Sequence, residues 1–369
     1  MRCDRPLPQA TLEPMFLGIR DLAFAKGRFA LTTAVLFLLS LMVVMLSGLT
    51  AGLGNRSIAA VQGIGADHFA FNAPAPDREL SFADSRIGEA QRSGLAAQPG
   101  VDDAAIVGVA TTRVTGAGGD VGAAAFGVDG SSFAAPVPLR PGDVAVERTL
   151  ADDNGWDLGQ RVEAGGRSFT VRALLDDSYY SHQPVVWFDR ADWLALPTSG
   201  GSEGTVVALR TTAAFDASAV GAATGTAIAD VPEAVNAIGG YSSERGSLLL
   251  MQGMLLVVGA LVAGAFFTVW TVQRTQDLAV LGAIGASPGY LLCDALGQGL
   301  LVLVTGAGLG TLTAVGLGNI AAQVVPFTLT VAGTSVPFVA FVVLGMLGAT
   351  AAVARVVTVD PLDALGAAR

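Results

Sequence analysis

Two side chains with metal-ligating chemistry, Tyr241 and Glu244, stand directly before the second long apolar run of the chain. Ionisable groups near membrane depth are costly and tend to mark function, so Glu244 is a candidate ligand for ferric iron or a cationic group. A carboxylate at a helix start also complements the helix dipole, and this capping role stays open. Tyr241 would share a helical face with Glu244. Its phenol can ligate haem iron, yet tyrosine is also the ordinary belt residue at a membrane interface.

Met251 and Met254 follow deeper in the same apolar run. Their side chains are suited to line an apolar slot, although methionines in a membrane span more often serve packing alone. A second group of candidate ligands, Tyr179, Tyr180 and His182, lies in the stretch DDSYYSHQP. A loop of a β-rich domain routinely contains such residues, so we take this group as a transient contact at most.

Catalysis and a resident metal find little support in the sequence. The chain has two cysteines and two histidines, without the spacing of a metal site. Lys26 is its only lysine, and no phosphate-binding GxxxxGK[ST] loop occurs. The motif HExxH is also absent from the sequence. We therefore expect no catalytic residues, no metal site and no permanently bound cofactor.

The composition predicts a membrane protein with one solvated block. Charged residues make up 14% of the chain, well below the roughly 25% of soluble domains, and the mean hydropathy is +0.57. The stretch from residue 55 to residue 245 holds 24 acidic and 13 basic residues, whereas the rest is nearly balanced. This acidity indicates a solvated domain and argues against binding of nucleic acid.

Four apolar runs are long enough to cross the hydrocarbon layer, which takes about 20 residues. The first lies between Arg28 and Arg56 and the second follows Arg245. A third stretch, from Ala295 to Ala354, has 60 uncharged residues and is too long for one helix. We expect a break around Asn319 to Pro326 and the sequence TVAGTSVP, which divides it into two spans.

Basic residues near the ends of the spans predict the orientation. Arg20, Lys26 and Arg28 precede the first span, Arg274 follows the second and Arg355 follows the fourth. We therefore expect both termini in the cytoplasm and the acidic block outside. The stretch Met15–Phe29 is amphipathic and predicts a helix along the inner membrane surface.

The outer block reads as a mixed α/β domain. Alternating or β-rich runs occur at AAIVGVATTRV, VGAAAFGV, SFTVRALL, PVVWF and TVVALR. The clearest unit is ADDNGWDLGQRVEAGGRSFTV, where a short helix ends at Asn154-Gly155 and two strands flank a Gly165-Gly166 hairpin turn.

The predicted fold is therefore an α-helical membrane protein with four transmembrane helices and a mixed α/β extracytoplasmic domain inserted between the first two. The predicted segments are a tail and interfacial helix (1–29), span one (30–54), the outer domain (55–245), span two (246–272), a cytoplasmic coupling helix (273–291), span three (292–317), a short outer loop (318–335), span four (336–357) and a cytoplasmic tail (358–369).

The segment QRTQDLAVLGAIGASPGYLL resembles the conserved stretch of the FtsX/MacB-type permeases of ABC transporters (type VII), roughly R-x-x-E-x-A-x-L-x-A-x-G. Arg274, Asp277, Leu281 and Gly285 occupy this pattern, with aspartate where glutamate is commoner. The C-terminal VDPLDALGAAR resembles the P-x-x-A-L tail of the family. The resemblance implies a non-catalytic permease subunit that docks through the coupling helix, together with the Met15–Phe29 helix, on two copies of a separate ABC ATPase. ATP would be used by that partner, at a bacterial cytoplasmic membrane.

Several strings, among them GIRDLAFAKGRF, LSGLTAGLG and LLDDSYYSHQPVVWF, resemble the haem-exporting permeases within this family. This implies haem as the substrate, with Glu244, Tyr241, Met251 and Met254 as its contacts. Export of a lipid, a peptide or an antibiotic stays open, as does an FtsX-like role in transmitting a signal to a cell-wall hydrolase.

Gly48 and Gly52, at the outer end of the first span, have the small-xxx-small spacing that lets helix backbones approach closely. We predict that they form the seam of a permease homodimer in the lipid membrane. The same spacing at Gly306 and Gly310 of the third span predicts packing within the protomer.

Overall fold

The computed structural model describes residues 26–273 and 288–357, which divide into two compact units. The outer unit is Gly52–Ser247, and the helical unit comprises the residues before and after it. In chain order the elements are α1 (Lys26–Gln62), β1 (His68–Asn72), α2 (Glu89–Ala96), β2 (Val101–Gly116), β3 (Gly119–Val128), β4 (Asp143–Glu147), α3 (Arg148–Asn154), β5 (Arg161–Ala164), β6 (Arg167–Leu175), β7 (Tyr179–Tyr180), β8 (Gln183–Asp189), α4 (Arg190–Leu194), β9 (Val206–Thr211), α5 (Ala217–Thr224), β10 (Thr226–Asp230), α6 (Val231–Asn236), α7 (Tyr241–Gln273), α8 (Pro288–Ala321) and α9 (Val331–Val357).

The helices α1, α7, α8 and α9 are long and apolar enough to cross a membrane, which confirms the four predicted spans. The fourth begins at Val331, five residues before the predicted start at 336. Thr330 explains this difference, because its hydroxyl accepts a hydrogen bond from the Gly333 amide at 2.8 Å and so caps the helix. Pro337 lies inside this helix and has no amide hydrogen to donate to the Gly333 carbonyl. The Ser47 hydroxyl of α1 donates to that carbonyl at 2.7 Å instead.

Glycines bring α8 directly onto α1 in the helical unit. A Cβ at Gly306 would lie 3.0 Å from the Leu36 Cβ, and one at Gly310 would overlap the Phe37 carbonyl oxygen. The Ser40 hydroxyl donates to the Ala307 carbonyl across this contact at 2.9 Å. The predicted packing role of the Gly306–Gly310 pair within the protomer is confirmed.

A second glycine contact joins α7 to α9. A Cβ at Gly264 would lie 3.2 Å from the Gly348 carbonyl oxygen. A Cβ at Gly348 would clash with the Ala260 carbonyl oxygen, at 2.5 Å. Phe341 of α9 lies against Gly259 of α7, Phe267 of α7 lies against Gly299 of α8, and both rings are almost completely buried. Helix association in the helical unit thus depends on small residues that admit close backbone approach.

The outer unit is built on one sheet with the strand order β10-β1-β9-β2-β3-β8-β4-β6-β5. Strand β5 also pairs with β2 at Val114 and Thr115. The part of the sheet with the order β2-β3-β8-β4-β6-β5 therefore closes into a ring of six strands. The pairs β3–β8 and β4–β6 are parallel, and the other pairs in the ring are antiparallel. The predicted mixed α/β character of the outer domain is confirmed.

Large aromatic side chains fill the closed part of the sheet. Phe169, Phe188, Trp156 and Trp193 are each at most 2% exposed, within one cluster of buried residues. The Trp193 indole N–H donates to the Ala125 carbonyl at 3.1 Å, which satisfies its polar edge. The ring is therefore a packed core, and it gives the adjoining β7–β8 hairpin a rigid base.

The predicted helix–hairpin unit is present. Helix α3 ends at Asn154, and Gly155 follows in the left-handed conformation with φ of 64°. Strands β5 and β6 flank Gly165 and Gly166, whose φ values of 56° and 77° are those of a type I′ turn. Glycine adopts these angles without steric cost, which is why the sequence signal is clear here.

The contact of α8 with α1 leads to a test with a matched control on one helix. Gly310→Ala forces a methyl group onto the backbone of α1, and we expect it to lower the free energy of unfolding by about 1–3 kcal/mol. Gly308→Ala places its methyl group where no atom lies within 4 Å, and we expect no loss of stability. Thermal unfolding in detergent compares the two variants; equal melting temperatures would contradict the packing described here.

Candidate functional site

The hairpin of β7 and β8 turns on Ser181 and His182, which both have positive φ, 46° and 63°. These are the two central positions of a type I′ turn, where glycine and asparagine are usual. The turn nevertheless forms because its amides are engaged. The Ser181 N–H donates to the Ser57 carbonyl and the His182 N–H to the Arg56 carbonyl, both at 3.0 Å. A strained turn held by α1 in this way is typical of a functional position.

The side chain of His182 connects three elements of the outer unit. Its Nε2 lies 2.8 Å from Glu244 Oε2 on the first turn of α7 and 3.1 Å from Ser57 Oγ on α1. A carboxylate oxygen and a ring nitrogen at this distance form a hydrogen bond, and Ser57 Oγ is the second polar neighbour of the same nitrogen. Glu244 and His182 are 34% and 42% exposed, which leaves both within reach of a ligand.

The side chains of Tyr179 and Tyr180 pack within the outer unit. The Tyr180 ring packs edge to face on Phe82 and Phe126, at 5.8 and 5.4 Å between ring centroids. Burial raises the pKa of Tyr180 and that of Tyr179, so both phenols stay protonated at neutral pH. The Arg56 guanidinium lies over the Tyr179 ring at 4.8 Å. Of the sequence group DDSYYSHQP, His182 alone joins a polar cluster with Glu244.

Tyr241, predicted as a second ligand beside Glu244, packs in the core of the outer unit. It is 8% exposed and belongs to one buried cluster with Val61 of α1 and with Ile64, which follows that helix. Its ring edge would lie 3.9 Å from a Cβ at Gly54. In this structure the side chain therefore supports the start of α7 rather than sharing the polar contact of Glu244, and its predicted contact with haem stays a prediction.

The helical unit contains an apolar cavity of about 680 Å³. Met251 and Met254 line it, as the sequence predicts, and Met42 and Met45 of α1 join them from the other side. The remaining lining residues are Leu46, Leu49, Leu255, Val258, Ala321, Val325 and Phe327. Our sequence reasoning missed Met42 and Met45. Their signal was present, since four of the seven methionines fall in two pairs spaced by three residues on the first two spans.

The proposed seam residue Gly48 has a neighbour within the protomer. The Phe327 ring lies against its α-carbon, and a Cβ there would overlap the ring. The Thr328 amide donates to the Gly48 carbonyl at 3.0 Å. Gly52 is also buried. These contacts give Gly48 a packing role of its own, and the dimer seam stays a prediction.

The predicted coupling residues Arg274, Asp277, Leu281 and Gly285 lie outside the described residues, as does most of the predicted interfacial helix Met15–Phe29. Within the residues that the structure describes, no group of three or more histidine, cysteine, aspartate or glutamate side chains is placed to hold a metal ion. The His182–Glu244 contact and the methionine cavity are therefore the two candidate sites.

Comparisons with known proteins match residues 249–361 to the family described as FtsX-like permease C-terminal. The putative hemin transport system permease protein HrtB of Staphylococcus haemolyticus is 23% identical over 300 residues, which are 79% of this chain and 82% of that protein. An uncharacterized ABC transporter permease of Mycobacterium tuberculosis is 24% identical over 340 residues, 88% of this chain and 92% of the relative. The crystal structure of the periplasmic region of MacB from Actinobacillus actinomycetemcomitans aligns with a TM-score of 0.35 and 12% identity, covering 49% of this chain and 96% of that one.

The strain at Ser181 is open to direct measurement. Asparagine tolerates the left-handed conformation, so we expect Ser181→Asn to raise the free energy of unfolding by up to about 1 kcal/mol. Ser181→Val keeps the amide that bonds to Ser57 but adds a β-branched side chain, and we expect a loss of about 1–2 kcal/mol. Chemical denaturation of the full chain gives both values. If valine were the more stable variant, the turn would not be strained as described.

Proposed function

We propose that this chain, an ABC transporter permease of the FtsX type, exports haem from the membrane and thereby protects the cell from excess haem. The observation that carries the proposal is the methionine-lined cavity of the helical unit. Its volume of about 680 Å³ lies in the range of pockets that take a ligand of drug size, roughly 300–1,000 Å³. The similarity over most of the chain to permeases named for hemin transport supports the same substrate.

The chemistry of the cavity suits a porphyrin. Thioethers are polarizable and flexible, and their sulfur atoms make favourable contacts with aromatic rings. Met42 and Met45 from one helix and Met251 and Met254 from another provide four such groups. Met254 is 61% exposed and Met251 46% exposed, so a ligand covers apolar surface on entering. In the proposal the macrocycle leaves the outer leaflet sideways, between the first and second spans.

Glu244 and Tyr241 complete the proposed set of haem-binding residues. Glu244 offers a carboxylate on the exposed first turn of α7, where haem iron carries positive charge that a carboxylate attracts. Tyr241 contributes through packing, because its buried ring supports the helix turn that carries Glu244.

The energy for export comes from a separate ABC ATPase, of which two copies bind a homodimer of the permease. We propose that the coupling helix with Arg274, Asp277, Leu281 and Gly285 docks on this partner from the cytoplasm, where both termini lie. ATP binding then moves the spans, and export requires that haem bind more weakly in the resulting state. The seam between protomers lies at Gly48 and Gly52 in this proposal.

A lipid is a second candidate substrate, because all eleven lining residues of the cavity are apolar and suit an acyl chain as well. An acyl chain packs on leucine side chains as well as on methionine side chains. An unpaired amide in the cavity would weaken the binding of a lipid and of haem alike.

The cavity is tested with Met251→Gln/Met254→Gln and the matched control Met251→Leu/Met254→Leu. Burying an amide without a partner costs about 1–3 kcal/mol, so we expect haemin to bind the glutamine variant at least about tenfold more weakly. The leucine variant should stay within about threefold of the wild type. Haemin titration and haemin-stimulated ATPase activity of the permease–ATPase complex are the measurements.

If the wild type neither binds haemin nor shows stimulation, haem is not the substrate. Stimulation by a phospholipid in place of haemin, lost in the glutamine variant, would assign the cavity to lipid export instead.

The coupling helix is tested by Asp277→Arg. Reversing this charge should abolish copurification of the ATPase subunit while leaving haemin binding to the permease unchanged. Asp157→Arg, a charge reversal at an exposed position of the outer unit, is the control and should retain the ATPase. If both variants hold the ATPase equally well, the docking assignment is wrong.

A further inference from the structure

Phe327 is the one aromatic residue among the eleven that line the methionine cavity. It lies on the connection between α8 and α9, which runs from residue 322 to residue 330. Val324 and Val325 of this connection are 85% and 41% exposed, whereas Phe327 is only 9% exposed. The connection is thus anchored by a buried ring that also forms part of the cavity wall.

The edge of the Phe327 ring fits between two glycines on neighbouring helices. A Cβ at Gly48 of α1 would overlap the ring at Cζ, and a Cβ at Gly318 of α8 would lie 2.5 Å from its Cε1. Both glycines lie inside helices, where glycine is less favourable than alanine because its backbone loses more freedom on folding. The missing side chains make room for the ring, and we call these two positions the glycine socket.

The chain that follows the ring is fixed to α1. The Thr328 amide donates to the Gly48 carbonyl at 3.0 Å, and the Ser47 hydroxyl donates to the Gly333 carbonyl at 2.7 Å. These hydrogen bonds hold the connection at the level of the socket. The position of the ring therefore depends on the backbone as well as on its own packing.

The ring has the glycine socket on one side and the cavity on another. Carbon atoms that are not bonded to each other pack at about 3.5–4.0 Å, so a methyl group at either glycine would displace the ring by roughly 1 Å or more. The helices α1 and α8 occupy the socket side, and the cavity is the free space that the ring borders. We therefore expect the displaced ring to enter the cavity and to reduce the room for a ligand.

The cavity wall also indicates which part of a haem would meet this ring. All eleven lining residues are apolar. Burial of an ionised carboxylate without a partner is strongly unfavourable, so the two propionates of haem stay outside such a cavity. The opposite edge of the macrocycle, which carries the two vinyl groups, then enters it.

We propose that Phe327, positioned by the glycine socket, is a specificity-determining residue that limits the space for the vinyl edge of haem in the methionine cavity. This inference rests on the proposed haem export and gives the connection between α8 and α9 a role in selecting the substrate. It also gives Gly48 and Gly318 a role in binding, which they exert through the ring rather than by contact with haem.

The test is titration of the full-length permease with haemin and with deuterohaemin, which has hydrogen atoms in place of the two vinyl groups. Gly48→Ala and Gly318→Ala fill the socket, and we expect this overpacking to weaken haemin binding about tenfold. Deuterohaemin is smaller at the edge that enters, so its affinity should fall less than about threefold. Gly316→Ala on α8, whose methyl group would meet no atom within 4 Å, is the control and should change neither affinity.

A double variant shows whether Gly48 acts through the ring. Phe327→Ala removes the atoms with which a methyl group at Gly48 would collide. In this background Gly48→Ala should change the haemin affinity by less than about twofold, against about tenfold when the ring is present.

The ratio of the affinities for haemin and deuterohaemin separates a change in the cavity from a folding defect. Both ligands are titrated into the same preparation, and a partly unfolded sample lowers the number of sites for both alike. Only a change in the space for the vinyl edge alters the ratio.

Two results would overturn the inference while leaving haem export intact. The first is that Gly48→Ala and Gly318→Ala weaken haemin and deuterohaemin equally, or weaken neither. The second is a loss in Gly48→Ala that persists in the Phe327→Ala background, which would assign Gly48 to the seam between protomers instead. Absence of haemin binding by the wild type would reject the proposed function itself, and this inference with it.

Discussion

The hydrogen bond between His182 and Glu244 is the interaction on which the organisation of the candidate site depends. It joins the β7–β8 turn to the first turn of α7, and Ser57 extends the contact to α1. Either side chain alone would be an ordinary polar group at an exposed position. Together they fix the orientation of the imidazole between the turn and α7, and the strain of the turn is the cost of holding the two side chains in this way.

The same contact gives α1 and α7 a role beyond crossing the membrane. Each of these helices contributes residues to both units of the chain, with the methionine cavity lined from one part and the histidine cluster built on the other. Helices are stiff elements, and α1 and α8 are further joined by the glycine contact at Gly306 and Gly310.

Local sequence patterns predict much of the fold, whereas the candidate site is formed by residues that lie far apart in the sequence. Apolar length predicts the four spans, and alternation with glycine turns predicts strands β2, β3, β5, β6, β8 and β9 but not β1, β4, β7 or β10. Closure of β5 onto β2 is a non-local pairing without a sequence signal. Glu244 stands out because a charge begins an apolar run, but its partner His182 lies 62 residues away and nothing in either segment marks the pair. The burial of Tyr241 likewise depends on side chains of α1, which periodicity within α7 does not reveal.

The most direct test of this account is haemin-stimulated ATP hydrolysis by the purified permease–ATPase complex. We predict that haemin raises the ATPase activity of the wild-type complex, and that Met251→Gln/Met254→Gln loses most of this stimulation because unpaired amides then lie in the cavity. Equal stimulation of the two complexes would contradict the account, since haem would then act at another place.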